Sequence, residues 1–186
     1  MNARNVAFSR TRLTELMVPS FANFGGKVHG GVILSLMDKV AYACASKHAG
    51  AYCVTVTVDG VEFLQPVEVG DLLHLDATVH YVGNTSLVVG IKVTTENIKT
   101  NEVKHTNNSF FTMVAKNDEG NPVQVPELEL STHEEMRHFV TAIRRSKMRK
   151  ESQAKLKQDY DAFIPKEDFT LLENQRCSLT FSKSDM

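Results

Sequence analysis

The sequence predicts an α+β fold in which an antiparallel sheet wraps around one long central helix. Apolar residues Ile33, Leu34, Met37, Val40, Ala41, Cys44 and Ala45 recur at spacings of three and four between about His29 and His48. The period then changes to two and stays there from residue 53 to about 116. No second helical pattern separates these strands, which excludes a doubly wound parallel sheet.

The elements follow in order. Residues 9–18, SRTRLTELMV, are compatible with a first strand. Pro19, Gly25 and Gly26 mark a loop over 19–28. The helix comes next. Its apolar stripe is wide, so most of its circumference is expected to be buried, and Ala49-Gly50 offers a C-cap. In YCVTVTVDGVEFLQP, Val54, Val56 and Val58 alternate with Thr55, Thr57 and Asp59. In DLLHLDATVHYV, one face carries Leu73, Leu75, Ala77, Val79 and Tyr81, and the other Leu72, His74, Asp76, Thr78 and His80. Val69-Gly70-Asp71 and Gly83-Asn84-Thr85 bracket that strand. SLVVGIKVTTENI and EVKHTNNSFFTMVAKN follow, and Asp118 to Pro122 close the last strand. Consecutive strands with short connections favour antiparallel pairing.

Beyond the sheet, Thr132 and Glu135 fit a capping box. Met136, Phe139, Val140 and Ile143 then form one apolar face. Residues 144–157 carry seven basic residues and one acidic. With no aromatics interleaved, this reads as a solvated helix end rather than a nucleic-acid contact. Residues 159–186 show no evident organisation. The expected division is a domain over 1–130 and a C-terminal helix with a basic, partly disordered tail over 131–186.

Composition bounds the function. The 186 residues are 42% hydrophobic and 23% charged, with a net charge of -1, so the chain as a whole lacks the basic excess of a nucleic-acid binder. No apolar run approaches the roughly 20 residues that span a bilayer. The N-terminus shows no apolar signal core. Cys44, Cys53 and Cys177 are too few and too scattered for a disulfide framework, which points to a reducing, cytoplasmic setting. No histidine stands at metal-ligand spacing from another histidine or from a cysteine, so neither metal nor cofactor is expected.

The chemistry concentrates in NFGGKVHGGVILSLMDK, residues 23–39. Asp38 sits at the edge of the helix's apolar stripe. A buried carboxylate is costly unless hydrogen-bonded or useful. It reads as a polar edge residue reaching solvent, as an ion-pair partner of Lys39 or Lys47, or as a general base. Gly30 and Gly31 fall at the helix start, where backbone N–H groups lack partners and the helix dipole is positive. Without side chains they admit a ligand carbonyl close to the backbone, a geometry suited to a developing oxyanion. Asn23, in the loop before, could orient a water or a carbonyl, or could simply cap a turn.

This stretch, followed by VTVDGVEFLQPVEVGD, resembles the hotdog-fold acyl-CoA thioesterases of the cytosolic (brain-type) acyl-CoA hydrolase family. The resemblance runs from about residue 12 to 125 and continues into PELELSTHEEMRHFVTAIRR. It implies a hotdog fold and hydrolysis of fatty acyl-CoA to free acid and coenzyme A. Asn23 and Asp38 fall on the catalytic asparagine and aspartate, Gly30 and Gly31 on the helix start that faces the thioester carbonyl. Thr85 and Ser86, in the GNTS turn, lie where relatives contact the coenzyme, although a plain hairpin would look the same. The resemblance further implies a homodimer sharing its active sites, assembled into a hexamer as a trimer of dimers, with no nucleic-acid or membrane partner.

Helix geometry agrees with a shared site. Eight residues separate Gly30 from Asp38, about 12 Å along the axis at ~1.5 Å per residue. A general base must come within about 3 Å of its water. Two antiparallel helices across a two-fold axis bring the start of one beside the middle of the other. Two other readings remain open: a hotdog acyl-CoA hydratase or dehydratase, which would ordinarily need an Asp/His pair, and a non-catalytic acyl-CoA sensor, which would not need both Asn23 and Asp38.

Overall fold

The computed structural model describes residues 2–180. In chain order the elements are β1 (Arg4–Asn5), α1 (Val6–Ser9), β2 (Thr11–Leu16), a 3₁₀ turn (Pro19–Phe21), α2 (Gly30–Ala49), β3 (Tyr52–Asp59), β4 (Asp71–Val82), β5 (Ser86–Asn97), β6 (Val103–Lys116), β7 (Leu128–Glu129), α3 (His133–Asp161), α4 (Pro165–Asp168) and a 3₁₀ turn (Phe169–Leu172). The chain divides into two compact units, Met1–Ala142 and Ile143–Met186. The first holds the expected architecture: an antiparallel five-stranded sheet in the order β2-β4-β5-β6-β3, with α2 packed on one face.

One connection differs from the simple meander. β3 pairs with β6, not with its neighbour in sequence, β4. Segment 60–70 carries the chain from this edge to the far half of the sheet. The edge position of β3 leaves one of its sides without a strand among the described residues.

α2 starts at His29, whose Nδ1 accepts the Gly31 N–H at 3.0 Å, and ends at Gly50 in the left-handed conformation (φ 69°). Arg4 donates to the Lys47 and His48 carbonyls there, satisfying acceptors that the helix end leaves unpaired. Ile33, Leu36, Met37, Val40, Ala41, Cys44, Ala45 and His48 are buried against the sheet. Leu34 is not: it is 37% exposed. The expectation of a helix enclosed on most sides therefore fails for the single chain. The sheet covers one side, and Gly31, Leu34, Asp38 and Tyr42 stay exposed, the last two beside the edge strand β3.

On β4, Leu73, Leu75, Ala77 and Val79 are buried as their alternation predicts, but Tyr81 leaves the core face. The pairing with β5 shifts between Val79 and Tyr81, so Tyr81 stands opposite Val88 and Val82 opposite core residue Leu87. A bulge of one residue reverses the alternation beyond it. Tyr81 then meets Phe139 of α3 at 4.9 Å, and His80 stacks on His138 at 4.2 Å. The docked face of α3 thus runs through His138, Phe139 and buried Ala142, while Met136, Val140 and Ile143 are exposed. The aromatic stacks outweigh the apolar face that spacing alone suggested. The capping box forms: Thr132 Oγ1 accepts the Glu135 N–H at 3.1 Å, and Glu135 Oε2 accepts the Thr132 N–H at 3.1 Å.

In the second unit the helix continues to Asp161, followed by α4 and the last 3₁₀ turn, so 159–172 has more local structure than its composition suggested. Residues 181–186 of the expected disordered tail lie outside the described residues. No helix among the described residues is long and apolar enough to cross a membrane.

Buried His48 makes stability depend on pH. Burial holds its imidazole below the ordinary range; the nearby Arg4 charge acts in the same direction, while Nε2–H donation to the Pro126 carbonyl at 3.1 Å opposes it. Its Nδ1 is buried and has no partner among the described residues. A lowered folded value means the unfolded chain binds more protons below about pH 6.5. Stability is therefore expected to be level above about pH 7 and to fall as pH drops through the lowered folded value. Thermal unfolding of His48→Gln, compared with wild type from pH 8 to 5.5, should show a shallower acid slope. Equal slopes would exclude His48 as the source.

Candidate active site

The helix start is built by a tight turn. Asn23 N–H donates to the Lys27 carbonyl at 2.6 Å, and Asn23 Oδ1 accepts the N–H groups of Gly25 and Lys27 at 2.9 and 3.2 Å. Two donors on one atom identify it as the amide oxygen. Asn23 does cap a turn, and this capping has a chemical consequence. With Oδ1 occupied, the side chain can only present its NH₂, which has no partner among the described residues, as a donor.

Val28 N–H bonds to the Val67 carbonyl and His29 N–H to the Phe21 carbonyl, fixing where α2 begins. Val32 N–H returns to the His29 carbonyl and Gly31 N–H is held by His29 Nδ1. Of the two glycines, Gly30 is the one whose N–H lacks a partner among the described residues. A Cβ at Gly31 would come within 3.2 Å of His29 Nδ1, so glycine there lets the imidazole fold back as a cap.

Asp38 is exposed in the single chain. It pairs with neither Lys39 nor Lys47; Lys47 Nζ donates to the Arg10 carbonyl instead. Its partner is Thr55 on β3, whose hydroxyl donates to Asp38 Oδ1 at 2.6 Å. Sequence reasoning missed Thr55. Alternation grouped it with Thr57 and Asp59 as a polar face, but Thr55 lies on the side of buried Cys53 and opposite core residue Met113, and only beyond it, between Thr55 and Thr57, does the β3–β6 register shift and separate it from Thr57. No one-strand pattern carries that signal.

The chain brings Asn23 and Gly30 to one end of α2 and Asp38 with Thr55 to its middle, about 12 Å away at ~1.5 Å per residue. Thr85 and Ser86 lie elsewhere. Ser86 pairs with Val114 near the C-terminal end of β6, whereas Leu64 N–H meets the Thr106 carbonyl near the other. The predicted coenzyme contacts therefore stand at the opposite end of the sheet from the Gly30 of their own chain. Exposed apolar residues flank Asp38 on α2, Leu34 and Tyr42 one turn to either side, and others, Tyr52, Val56 (60% exposed) and Val58, stand along the open edge strand that carries Thr55.

No group of three or more His, Cys, Asp or Glu side chains among the described residues is arranged to hold a metal ion. All three cysteines are free. Burial pushes the Cys44 thiol up to about 12 and raises that of Cys53, so neither is a thiolate near neutral pH.

Comparison with known proteins bears on this arrangement. Residues 25–102 match the family described as Thioesterase superfamily. Protein VdlD of Helicobacter pylori is 48% identical over 142 residues, 75% of this chain and 81% of its own length. The crystal structure of an apo-hexameric acyl-CoA thioesterase superposes with a TM-score of 0.80 at 38% identity, covering 83% of this chain and 99% of that one. An acyl-CoA hydrolase from Staphylococcus aureus, solved with butyryl coenzyme A and coenzyme A, gives 0.77 at 30% identity over 86% and 97%. Three similar structures are alanine variants of that hydrolase, at an asparagine, an aspartate 15 residues on and a threonine 17 residues beyond that. A sheet laid on one glycine-started helix, with this family match, defines the class as hotdog-fold thioesterase. Within that class, the chain belongs to the acyl-CoA thioesterases.

Proposed function

We infer that this protein hydrolyses the thioester of fatty acyl-CoA to free acid and coenzyme A, in a site completed by a second copy of the chain. The observation that carries the reading is the Asn23, Asp38, Thr55 set. The separations are 38 − 23 = 15 and 55 − 38 = 17 residues, with the residue types and spacings of the three positions altered in the Staphylococcus aureus hydrolase.

The roles follow from the geometry. The partnerless Gly30 N–H, at the positive end of α2, and the Asn23 NH₂ polarise the thioester carbonyl. Gly31 supports the turn through its bond to His29. Asp38 takes a proton from water, the hydroxide oxygen attacks the carbonyl carbon, the C–S bond breaks, and the proton passes to the departing thiolate. Thr55 fixes the Asp38 carboxylate. Direct attack by Asp38, giving an anhydride that water then hydrolyses, uses the same residues. No step needs a metal or cofactor. Thr85 and Ser86 are assigned to the coenzyme end of the substrate.

Exposed apolar residues along an open edge strand and the adjacent helix face support a homodimer, since such an edge otherwise invites aggregation. Two antiparallel copies of α2 then set Gly30 and Asn23 of one chain beside Asp38 of the other. We assign the assembly as a hexamer built from three such dimers, working in the cytoplasm.

Thiol release from a panel of acyl-CoAs tests the reaction. Turnover is expected on at least one chain length, unchanged by EDTA. No turnover on any, or loss with chelator, would overturn the reading. Thr55→Ala should lower kcat about tenfold by freeing the Asp38 rotamer, and Thr55→Ser, which keeps the hydroxyl, should stay within about threefold of wild type. Equal losses in the two variants would remove the hydroxyl from the mechanism.

A further inference from the structure

The ring of Phe63 lies against the helix start. A Cβ at Gly30 would stand 3.2 Å from its Cζ and 3.3 Å from its Cε2, so glycine at 30 lets the ring come closer to the helix start than a side chain there would. A ring 48% exposed on a connecting segment would ordinarily be mobile. This one is clamped through its backbone on both sides. Before it, the Glu62 carbonyl accepts from Asn107 Nδ2 at 2.6 Å. After it, Leu64 N–H donates to the Thr106 carbonyl at 3.0 Å.

The clamp is made of buried polar groups on β6. Thr106, Asn107 and Ser109 are all buried. Ser109 Oγ donates to Asn107 Oδ1 at 2.7 Å, which fixes the amide so that its NH₂ faces Glu62. Thr106 is the extra residue where the β5–β6 register shifts between Val93 and Thr94, and the bulge turns its carbonyl toward the connecting segment. A buried Asn–Ser pair inside a strand has no packing advantage over apolar residues. Its effect is to set one backbone conformation around Phe63.

We propose that Phe63 is a positioning residue of the thioester site, held by the Asn107–Ser109 latch so that its ring presses the substrate carbonyl toward the Gly30 N–H and keeps bulk water from the helix start. This rests on the functional reading above. The ring contributes no proton and no hydrogen bond. It acts through the orientation of the thioester, so its removal is felt in turnover more than in substrate affinity.

The test is steady-state kinetics with thermal unfolding on Phe63→Ala, Phe63→Leu and Ser109→Ala, all in the full chain. Phe63→Ala is expected to lower kcat about tenfold with KM within about threefold. Phe63→Leu, which restores bulk, should return kcat to within about threefold of wild type. Ser109→Ala, which frees the Asn107 amide, should lower kcat in the same direction with the Phe63 side chain intact. Wild-type kcat in Phe63→Ala would overturn the assignment. So would a loss that Phe63→Leu does not rescue, or a Ser109→Ala variant that changes only the unfolding temperature. Absence of turnover in the wild type would overturn the functional reading, and the role of Phe63 with it.

Discussion

Asp38→Asn is expected to reduce kcat by about 10²–10⁴, the usual range for removing a positioned general base. The amide has the shape of the carboxylate, and its oxygen can still accept the Thr55 hydroxyl, which bonds Asp38 Oδ1 at 2.6 Å in the native chain. Since Asp38 is exposed and makes no ion pair with Lys39 or Lys47, the fold has little to lose. What disappears is the ability to take a proton from water. KM should move little, because the Gly30 N–H and Asn23, proposed to meet the carbonyl, are untouched. Parallel measurement of kcat, KM and the unfolding temperature decides the matter. A kcat within a few fold of wild type would return Asp38 to the status of a polar edge residue. If instead the anhydride route operates, the same variant is equally inactive, and where water opens the anhydride at the aspartyl carbon, single turnover of the wild type in ¹⁸O-water places label in the Asp38 side chain.

The second large effect is a recovery. Asn23→Ala and Asp38→Asn, each nearly inactive alone, are expected to regain roughly a quarter of wild-type activity when unfolded together and refolded as a mixture. Random pairing makes about half the dimers mixed. In a mixed dimer one site receives both lesions and the other neither, so half of the dimers carry one intact site of two. Assembly of such dimers into a larger particle leaves this arithmetic unchanged, provided each site spans one two-fold pair. The structural reason to expect recovery is the separation along α2: about 12 Å from Gly30 to Asp38 at ~1.5 Å per residue, too far for both to serve one carbon in a single chain. Mixed protein that stays as inactive as its parents, while refolded wild type recovers, would overturn the shared site.

By itself the sequence determined the main elements and marked the candidate residues. The helix, its cap at Gly50, the core faces of β4 and the Thr132/Glu135 box all follow from local periodicity and capping rules, because each depends on residues within one or two turns of each other. The resemblance carried by residues 23–39 marked Asn23, Gly30, Gly31 and Asp38. Tertiary structure decided what depends on distant partners or on register. Leu34 looked like core because spacing cannot tell which side of a helix the sheet will cover. Tyr81 looked buried because a bulge is invisible to alternation, and one inserted residue reverses every side chain after it. Thr55 reaches Asp38 because β3 pairs with β6 and turns its Cys53–Thr55 side toward α2, and Thr106 and Asn107 reach the segment around Phe63 where β6 carries a bulge. The donor role of Asn23 needed the fold as well, since only the turn from Asn23 to Lys27 fixes which end of the amide is occupied. Local pattern is written in neighbouring residues; the direction in which a side chain finally points is set by hydrogen bonds to residues far along the chain.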